Sequence, residues 1–471
     1  MSQTFLDLPL ELLPVIMQQL VRPSHFAALC LVNRSFYAFA VPYLYERAFI
    51  YAWHKEGKAK VVKLFRTLSA CPHLWSGPLR HRYFLMYHLE IRDFPKSFYV
   101  AENEATLRIC LSGIKNCVNL RSCTWTRDGS LTTEVLEALL PCERLEELEI
   151  NGNHENHYDP WLLRRFAHLR RISLIMPRNA VVEVLPAWTG ATGSTLRHLT
   201  ILCKMPGTLN DATLQEIAPN VPNLERLYIA GCVKVTERGV WAIISENTRG
   251  LQALGMEGLS PSFDMAHFNA LCARHNSLTQ LRSITLTIDS SPTWCKDVLA
   301  LLQPARLEQF HISTIGGNVG PVLDEEFCNA IVDRHRARLQ RFSVHRLRMS
   351  LASIDYICRR CERLEQLFVV VEQGSLSKLG PILAQARTLR AVHVNRPLDL
   401  GSEDVPMIAR DQILDIVKQS GPNLMQFGYN TRVFQVERLL HRKADGELEV
   451  ETRLGQYESP EVPEQFLVVR T

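Results

Sequence analysis

The sequence predicts an α/β fold in which short strands and short helices alternate along most of the chain. A six-residue pattern of apolar positions recurs twelve times between Leu120 and Leu424, about 28 residues apart. Segments with the spacing of amphipathic helices lie between the copies, for example at 133–140, 211–217 and 352–358. The chain has 471 residues, more than one hydrophobic core usually organises, which favours an array of repeats over a single globule.

Each copy of the pattern predicts a short strand. It consists of a leucine, two variable residues, a second apolar residue, one variable residue and a third apolar residue, as in Leu145, Leu148 and Ile150. Because side chains alternate between the two faces of a strand, the second and third apolar residues share the core face and the variable residues point away from it. The twelve copies begin at Leu120, Leu145, Leu169, Leu196, Leu224, Leu251, Leu281, Leu307, Leu339, Leu364, Leu389 and Leu424.

The pattern and its period resemble the leucine-rich repeat. The block from Leu227 to Val240, with Cys232 in a Gly-Cys turn and a Thr-x-x-Gly-Val helix start, resembles the cysteine-containing subclass. The resemblance implies a solenoid shaped like a horseshoe, with a parallel sheet on its concave face. We expect residues 116–432 to form this solenoid of about twelve repeats, and residues 433–471 to form a C-terminal cap or tail.

The first fifty residues predict three short helices. The first is defined by apolar residues that recur at helical spacing, Leu13, Ile16, Met17 and Leu20. Ser24 is expected to cap the second helix, and Pro42 to help close the third. Three helices of this size bury little apolar surface by themselves, so such a unit tends to need a partner or a neighbouring domain.

Residues 4–50 resemble the F-box family. The run Leu8-Pro9-Leu10-Glu11-Leu12-Leu13 is similar to its opening Leu-Pro-x-Glu-Leu-Leu. The run Leu29-Cys30-Leu31-Val32-Asn33-Arg34-Ser35-Phe36 is similar to its Leu-x-x-Val-Cys-Arg-x-Phe core, with Asn33 where cysteine or serine is more frequent. Tyr43-Leu44-Tyr45 replaces the usual Leu-Trp ending.

The F-box resemblance implies a partner and a role. Members of the family dock on a small Skp-type adaptor, which links them to a cullin-based ubiquitin ligase, while another domain captures a protein substrate. The chain would then be a substrate-recognition subunit without catalytic activity; a protein-binding scaffold outside any ligase is the alternative. The apolar residues that the resemblance places at the adaptor are Leu8, Pro9, Leu12, Ile16, Leu29, Val32 and Leu44.

Residues 51–115 are expected to form a helical linker together with an N-terminal cap or a degenerate first repeat. Lys58 and Lys63 lie on a segment whose Val61 and Phe65 form an apolar side. A basic amphipathic helix can rest on an acidic membrane or protein, or it can simply join two domains. We favour the second interpretation.

The variable positions of the predicted strands are the candidate substrate-binding residues. Arginine and tyrosine are frequent anchors of protein interfaces, and histidine and phenylalanine add rings. An alternative remains open, in which the charged positions only keep the solenoid soluble. The candidates are Glu147, Glu149, Arg171, His198, Arg226, Tyr228, Phe368 and His393.

Composition and motifs exclude several classes of function. A net charge of +4 gives no general attraction to nucleic acid, and no apolar run approaches the roughly 20 residues that span a bilayer. The first residues lack the pattern of a secretory signal. We therefore expect a cytoplasmic and/or nuclear protein that binds neither nucleic acid nor membrane, with its thirteen cysteines reduced and mostly buried.

No local motif for catalysis or for a cofactor is present. Cys358 and Cys361 form a CxxC, but a structural zinc site needs four ligands and no second pair follows. No glycine-rich phosphate loop and no nucleophile elbow occur, although a triad could still assemble from distant residues. We predict no cofactor, no metal site and no catalytic residue.

Overall fold

A computed structural model describes residues 9–20, 22–50, 56–70, 86–94, 100–205, 207–288, 291–314, 322–397, 408–442 and 446–457. These residues form two compact units. The first contains the described residues up to Thr208 together with Pro219–Asn223, and the second contains Leu209–Ala218 and the described residues from Leu224 onward.

The first unit begins with three helices and continues as a strand-and-helix array. Its helices are α1 Leu12–Met17, α2 Pro23–Leu29, α3 Arg34–Glu46, α4 Gly57–Ala70, α5 Val100–Asn116, α6 Thr133–Leu139 and α7 Asn179–Thr192. Its strands are β1 Arg47–Ile50, β2 His88–Ile91, β3 Ser122–Trp125, β4 Glu147–Asn151, β5 Arg171–Ile175 and β6 His198–Leu202. These strands pair in sequence order, and every pair is parallel.

The second unit continues the alternation and ends in a hairpin. Its helices are α8 Asp211–Ile217, α9 Glu237–Glu246, α10 Met265–His275, α11 Trp294–Leu301, α12 Glu325–His335, α13 Leu351–Arg360, α14 Leu379–Leu383 and α15 Arg410–Gln419. Its strands are β7 Arg226–Ala230, β8 Ala253–Glu257, β9 Ser283–Ile288, β10 Gln309–Thr314, β11 Arg341–His345, β12 Gln366–Val370, β13 Ala391–Asn395, β14 Gln426–Tyr429, β15 Arg432–Arg442 and β16 Leu448–Gln456.

Pairing in the second unit is parallel from β7 to β14 and antiparallel in the final hairpin. Strand β16 and most of β15 lie in the region 433–471, for which the sequence predicts a C-terminal cap or tail. Three short 3-10 helices complete the described secondary structure, at Pro160–Arg165, Ala218–Asn220 and Gln373–Lys378.

The α/β repeat predicted from the sequence is confirmed. Each of the twelve copies contains one of the strands β3–β14, and the predicted helices are present as α6, α8 and α13. Leu148 and Ile150 of β4 show why the pattern folds this way, because both are completely buried while Glu147 and Glu149, which alternate with them, are not. Burying two aliphatic side chains per strand contributes roughly 1.5–3 kcal/mol for each side chain.

Contacts between rings identify the core face of each sheet. Trp125 of β3 lies 6.2 Å, centroid to centroid, from Phe65 of α4, and Phe310 of β10 lies 6.1 Å from Phe327 of α12. These side chains therefore point toward the helices. The residues that alternate with them along the strands form the opposite side of each sheet, which we call the open face.

Helix α4 packs within the first unit. Its Val61, Phe65 and Leu68 are buried, and α5 approaches so closely that a Cβ on Gly113 would lie 3.1 Å from side-chain atoms of Phe65 and Leu68. Asn116 adds a hydrogen bond to the Leu68 carbonyl at 2.8 Å. The apolar side of this basic helix thus belongs to the core. Among the described residues, no helix combines the length and apolarity needed to cross a membrane.

Two local predictions were wrong. Helix α2 begins at Pro23, with Arg22 rather than Ser24 as the N-cap residue, because the fixed φ angle of proline suits the first turn of a helix. Helix α3 continues to Glu46 with Pro42 inside it, so this proline removes one N–H donor without ending the helix.

Candidate functional site

The three helices α1–α3 have a small interior. Leu13 and Met17 of α1 pack against Phe26 of α2 and against Phe36 and Ala40 of α3. All five side chains are less than a tenth exposed. Helix α1 buries the face that carries Leu13 and Met17. The residues that directly precede these two in the sequence, Leu12 and Ile16, lie on a different face, which points to solvent.

Several other apolar side chains of these helices are exposed. On α1, Leu12 and Ile16 lie one turn apart and are 43% and 37% exposed. In the turn after α2, Leu31 and Val32 are 88% and 59% exposed, and Pro9 is also exposed. So many exposed apolar side chains are unusual on a unit that has a buried interior of its own. We call Pro9, Leu12, Ile16 and Val32 the apolar surface.

The residues predicted to contact an adaptor divide into three groups. Pro9, Leu12, Ile16 and Val32 are exposed, as such a role requires. Leu29 and Leu44 are half-buried and pack against the interior of the three helices, so their main contribution is to the core. Leu8 lies outside the described residues.

Asn33, the departure from the F-box pattern, has a structural role. Its side-chain oxygen accepts a hydrogen bond from the Phe36 N–H at 2.9 Å and caps the N-terminus of α3. Asparagine is among the preferred N-cap residues because its short side chain reaches an otherwise unpaired N–H. The turn that presents Leu31 and Val32 is therefore fixed at its end by Asn33.

The open face of the first unit carries a network of opposite charges. Arg47 Nε lies 2.6 Å from Glu90 Oε1, and Arg92 Nη1 lies 2.8 Å from Glu149 Oε1. Arg92 Nε also lies 3.9 Å from Glu90 Oε2, which joins the two pairs. Glu149, one of the predicted substrate residues, is thus engaged by Arg92, whose side chain is only 10% exposed.

Three predicted substrate residues lie side by side on this face. Glu147, Arg171 and His198 occupy the same position of β4, β5 and β6 and are paired in register. Arg171 Nη1 lies 3.8 Å from Glu147 Oε2, and their side chains are 25% and 39% exposed. An ion pair this exposed contributes little to stability, so both side chains can exchange their contact for one with a partner.

The sequence pattern missed Arg47, Glu90 and Arg92 because strands β1 and β2 were not among the twelve copies. Strand β2 follows the same pattern with a methionine in the first position, as Met86, Leu89 and Ile91. Allowing methionine there would have revealed it. Strand β1 has Ala48 as its second apolar residue and is too degenerate to detect.

The open face of the second unit begins with Arg226 and Tyr228. Arg226 is exposed and available for contacts. The Tyr228 ring lies over Gly255 of the next strand, where a Cβ would fall 1.7 Å from a ring carbon. The Tyr228 hydroxyl donates a hydrogen bond to the Glu257 carboxylate. Tyr228 is thus held in place, with part of its ring still accessible.

Glu257 is the centre of a buried polar network. Ser313 Oγ donates to Glu257 Oε1 at 2.6 Å, and His311 Nε2 lies 3.6 Å from the same oxygen. Burial by itself raises the pKa of the Glu257 carboxyl. The neighbouring His311 and the hydrogen bonds from Ser313 and Tyr228 outweigh that effect and hold this pKa below its usual value.

His311 links the network to Ser343. His311 Nδ1 lies 2.7 Å from Ser343 Oγ, so serine, histidine and glutamate follow one another as in a hydrolase triad. Ser343 is completely buried and His311 is only 3% exposed. A substrate carbonyl cannot reach the Ser343 hydroxyl in this arrangement, and the three groups form a tightly packed, buried polar cluster on the open face.

Phe368 and His393, two further predicted substrate residues, are on the open face but buried. Phe368 is 0% and His393 is 3% exposed, and their rings stack with centroids 6.1 Å apart. His393 Nε2–H donates to the Asn430 carbonyl at 2.9 Å, and the ring lies over Gly428. Neither ring is presented to a partner, so we leave both out of the candidate surface.

The cysteines occupy the positions expected of small hydrophobic residues. None of the twelve that the structure describes forms a disulfide bond, and nine of them are buried. Burial raises the pKa of Cys361 to about 12 and also raises that of Cys358. A thiol that stays protonated is a poor nucleophile, and these two buried side chains pack at the end of α13.

Comparison with known proteins gives a likeness of fold only. No protein-family model matches the sequence, and no curated protein is similar to it. The chain is similar to one in a solved structure, "Crystal structure of Rad7 and Elc1 complex in yeast", with 13% sequence identity, 56% of this chain and 73% of that chain covered, and a TM-score of 0.38. A likeness at this level carries no argument about function.

Proposed function

We propose that this chain is the substrate-recognition subunit of a Skp–cullin–F-box ubiquitin ligase. The proposal rests on one observation. Leu12, Ile16 and Val32, which match apolar positions of the F-box motif, are exposed although the helices that carry them have a buried core of their own. An apolar surface kept out of the core at those positions is what binding to a Skp-type adaptor requires.

The second part of the role belongs to the sheet. A row of polar and charged side chains on parallel strands is a rigid recognition surface, because the strands beneath it are hydrogen-bonded to one another. In the first unit, Glu147, Arg171 and His198 form such a row. We propose that this row contributes to the capture of a protein substrate.

The proposed activity involves no bond chemistry in this chain. Holding an adaptor at one surface and a substrate at another raises the effective concentration of substrate lysines near a ubiquitin-conjugating enzyme. The gain comes from proximity, so the chain needs two binding surfaces on one folded scaffold and no nucleophile of its own.

Adaptor binding can be tested by co-expressing the full chain with a Skp-type adaptor and measuring the complex by size-exclusion chromatography and calorimetry. A triple variant Leu12→Ala, Ile16→Ala, Val32→Ala should weaken binding at least tenfold. A matched control replaces Leu440, Leu448 and Val450 of the C-terminal hairpin, which are 69%, 66% and 55% exposed, by alanine. The control should bind like the unchanged chain.

Undiminished binding by the triple variant would contradict the proposal, provided that both variants melt like the parent chain. An in vitro ubiquitination assay with a cullin complex separates the two kinds of adaptor-binding protein. Transfer of ubiquitin to a captured protein supports a ligase subunit, whereas adaptor binding without transfer supports a scaffold.

A further inference from the structure

A pocket of about 240 Å³ lies in the second unit, at the edge where the chain enters strands β9–β12. Each lining residue lies either three residues or one residue before the first residue of a strand. Successive repeats therefore contribute side chains from equivalent positions. Four of them are arginines, Arg282, Arg306, Arg338 and Arg363, and one is a carboxylate, Glu308.

The charges of this pocket are not balanced within the chain. Arg282 Nη1 lies 3.4 Å from Glu308 Oε1, and this is a single ion pair. The side chains of Arg306, Arg338 and Arg363 form no ion pair or hydrogen bond with any residue that the structure describes. Four guanidinium charges and one carboxylate leave an excess of three positive charges around the pocket.

The backbone fixes the spacing of these side chains. The N–H of Arg306 donates to the Leu281 carbonyl at 2.9 Å, and that of Glu308 donates to the Arg282 carbonyl at 2.7 Å. The N–H of Gln340 donates in turn to the Glu308 carbonyl at 2.7 Å. The arginines therefore project from neighbouring strands at one rigid edge of the sheet. The repulsion between their charges is overcome when the chain folds, and not when a ligand binds.

We propose that this pocket binds a phosphoryl group. Guanidinium is charged at every physiological pH and offers a planar fork of N–H donors that matches phosphate oxygens. A phosphate monoester carries about −1.5 to −2 charges and three acceptor oxygens at pH 7, so it compensates the excess better than a carboxylate does. Gln280 and Gln340 also line the pocket and add amide donors.

The size of the pocket favours a single phosphoryl group over a nucleic acid as the ligand. Duplex-binding proteins spread some 6–10 phosphate contacts along an extended surface, whereas these arginines surround one pocket of about 240 Å³. The phosphoryl group can belong to a phosphorylated protein segment or to a free phosphate compound, and the two share this chemistry. The inference does not depend on the ligase proposal.

The test measures the binding of inorganic phosphate to the full chain by calorimetry and by ³¹P line broadening, at pH 7.5 and constant ionic strength. The unchanged chain should bind phosphate, and the double variant Arg338→Ala, Arg363→Ala should bind at least tenfold more weakly. The matched control is Arg274→Ala, Arg336→Ala, because both arginines are exposed and neither lines the pocket. It should bind like the unchanged chain.

Equal binding by all three chains, or none by the unchanged chain, would overturn the proposal; melting curves establish that the variants fold. A second comparison uses N-acetyl-phosphoserine amide and N-acetyl-glutamate amide. Binding of phosphoserine as tight as that of phosphate indicates a phosphorylated protein segment, and binding of phosphate alone indicates a free phosphate compound. Equal binding of glutamate would overturn the assignment to a phosphoryl group.

Discussion

Asp211 Oδ2 accepts a hydrogen bond from the Thr236 hydroxyl at 2.6 Å, which joins the first residue of α8 to the N-cap residue of α9. Asp211 Oδ1 also accepts from the backbone N–H groups of Thr236 at 2.8 Å and Gly239 at 3.1 Å. A side chain of one repeat thus caps the helix of the next repeat. This contact explains the Thr-x-x-Gly part of the sequence signature.

Replacement of Asp211 by alanine should lower the free energy of unfolding by about 2–3 kcal/mol, because hydrogen bonds to a charged group are lost and the α9 N–H groups lose their acceptor. Urea unfolding followed by circular dichroism measures the change. Asp415→Ala removes an exposed carboxylate from α15 and should change the stability by less than about 0.5 kcal/mol. Equal effects of the two substitutions would contradict the capping role.

Replacement of Gly239 by alanine should also destabilise the protein, by about 1–3 kcal/mol, because the core cannot accept added volume without shifting. A Cβ at Gly239 would lie 2.5 Å from Asp211 Oδ1 and 3.0 Å from Leu214 Cδ1. Gly374 is a matched control, since a Cβ there would meet nothing within 4 Å. Thermal melting of Gly239→Ala and Gly374→Ala should show a clear loss only for the first.

Acid should destabilise the fold between about pH 6.5 and pH 4. Burial, aided by the Arg334 charge, lowers the pKa of His335 to about 4. Burial, aided by His311 and Arg346, lowers the pKa of His345 to about 4 as well. Below pH 6.5 the unfolded chain binds protons that the folded chain does not, so stability falls as the pH falls toward 4.

Each of these two histidines contributes at most about 3 kcal/mol to this loss, from a difference of 1.36 kcal/mol per pKa unit. Urea unfolding at a series of pH values measures the slope. A variant His335→Leu should show a shallower slope between pH 6.5 and 4, and an unchanged slope would refute the assignment. Glu257 acts in the same direction at lower pH, because its lowered pKa gives stability that is lost once the carboxyl is protonated.

Replacement of Glu257 by glutamine should cost about 1–3 kcal/mol, since an acceptor of two side-chain hydrogen bonds loses its charge and one of its two oxygens. Chemical unfolding of Glu257→Gln measures the loss. The same substitution at the exposed Glu246 should have almost no effect. A stable Glu257→Gln variant would show that the network around His311 and Ser343 does not stabilise the fold.

Charge exchange at Glu147 and Arg171 tests the open face of the first unit. The double variant Glu147→Lys, Arg171→Glu keeps an ion pair across β4 and β5, so the melting temperature should change little. Proteins that contact this row should no longer co-purify with the variant, because their charged groups now meet side chains of like charge. Quantitative mass spectrometry of the bound proteins decides; an unchanged set would remove this row from the candidate surface.

The repeat could be predicted because it depends on the spacing of apolar residues. The Leu145, Leu148 and Ile150 pattern fixes which side chains are buried, and a strand follows from that alternation alone. The exposure of Leu12 and Val32 agrees with the F-box resemblance. The sequence could not show that Leu29, an aliphatic residue like the other two, is half-buried instead.

The polar network could not be predicted. Glu257, His311 and Ser343 come from three repeats of unequal length, so their proximity depends on the register between strands and not on spacing along the chain. For the same reason, the sequence could not show that the variable positions Phe368 and His393 are covered by their neighbours. A variable position in the pattern predicts the face of a side chain, not its exposure.

The hairpin β15–β16 changes the kind of edge at which the described strands of the second unit end. A strand at the edge of a sheet presents unpaired N–H and C=O groups with which a further strand can pair. Strand β15 covers that edge of β14, and β16 in turn pairs with β15 and carries the charged residues Glu449, Glu451 and Arg453. Charged residues oppose edge-to-edge pairing. A chain that ended before Arg432 would leave the edge of β14 unpaired, and we expect it to associate with further copies more readily than the full chain does.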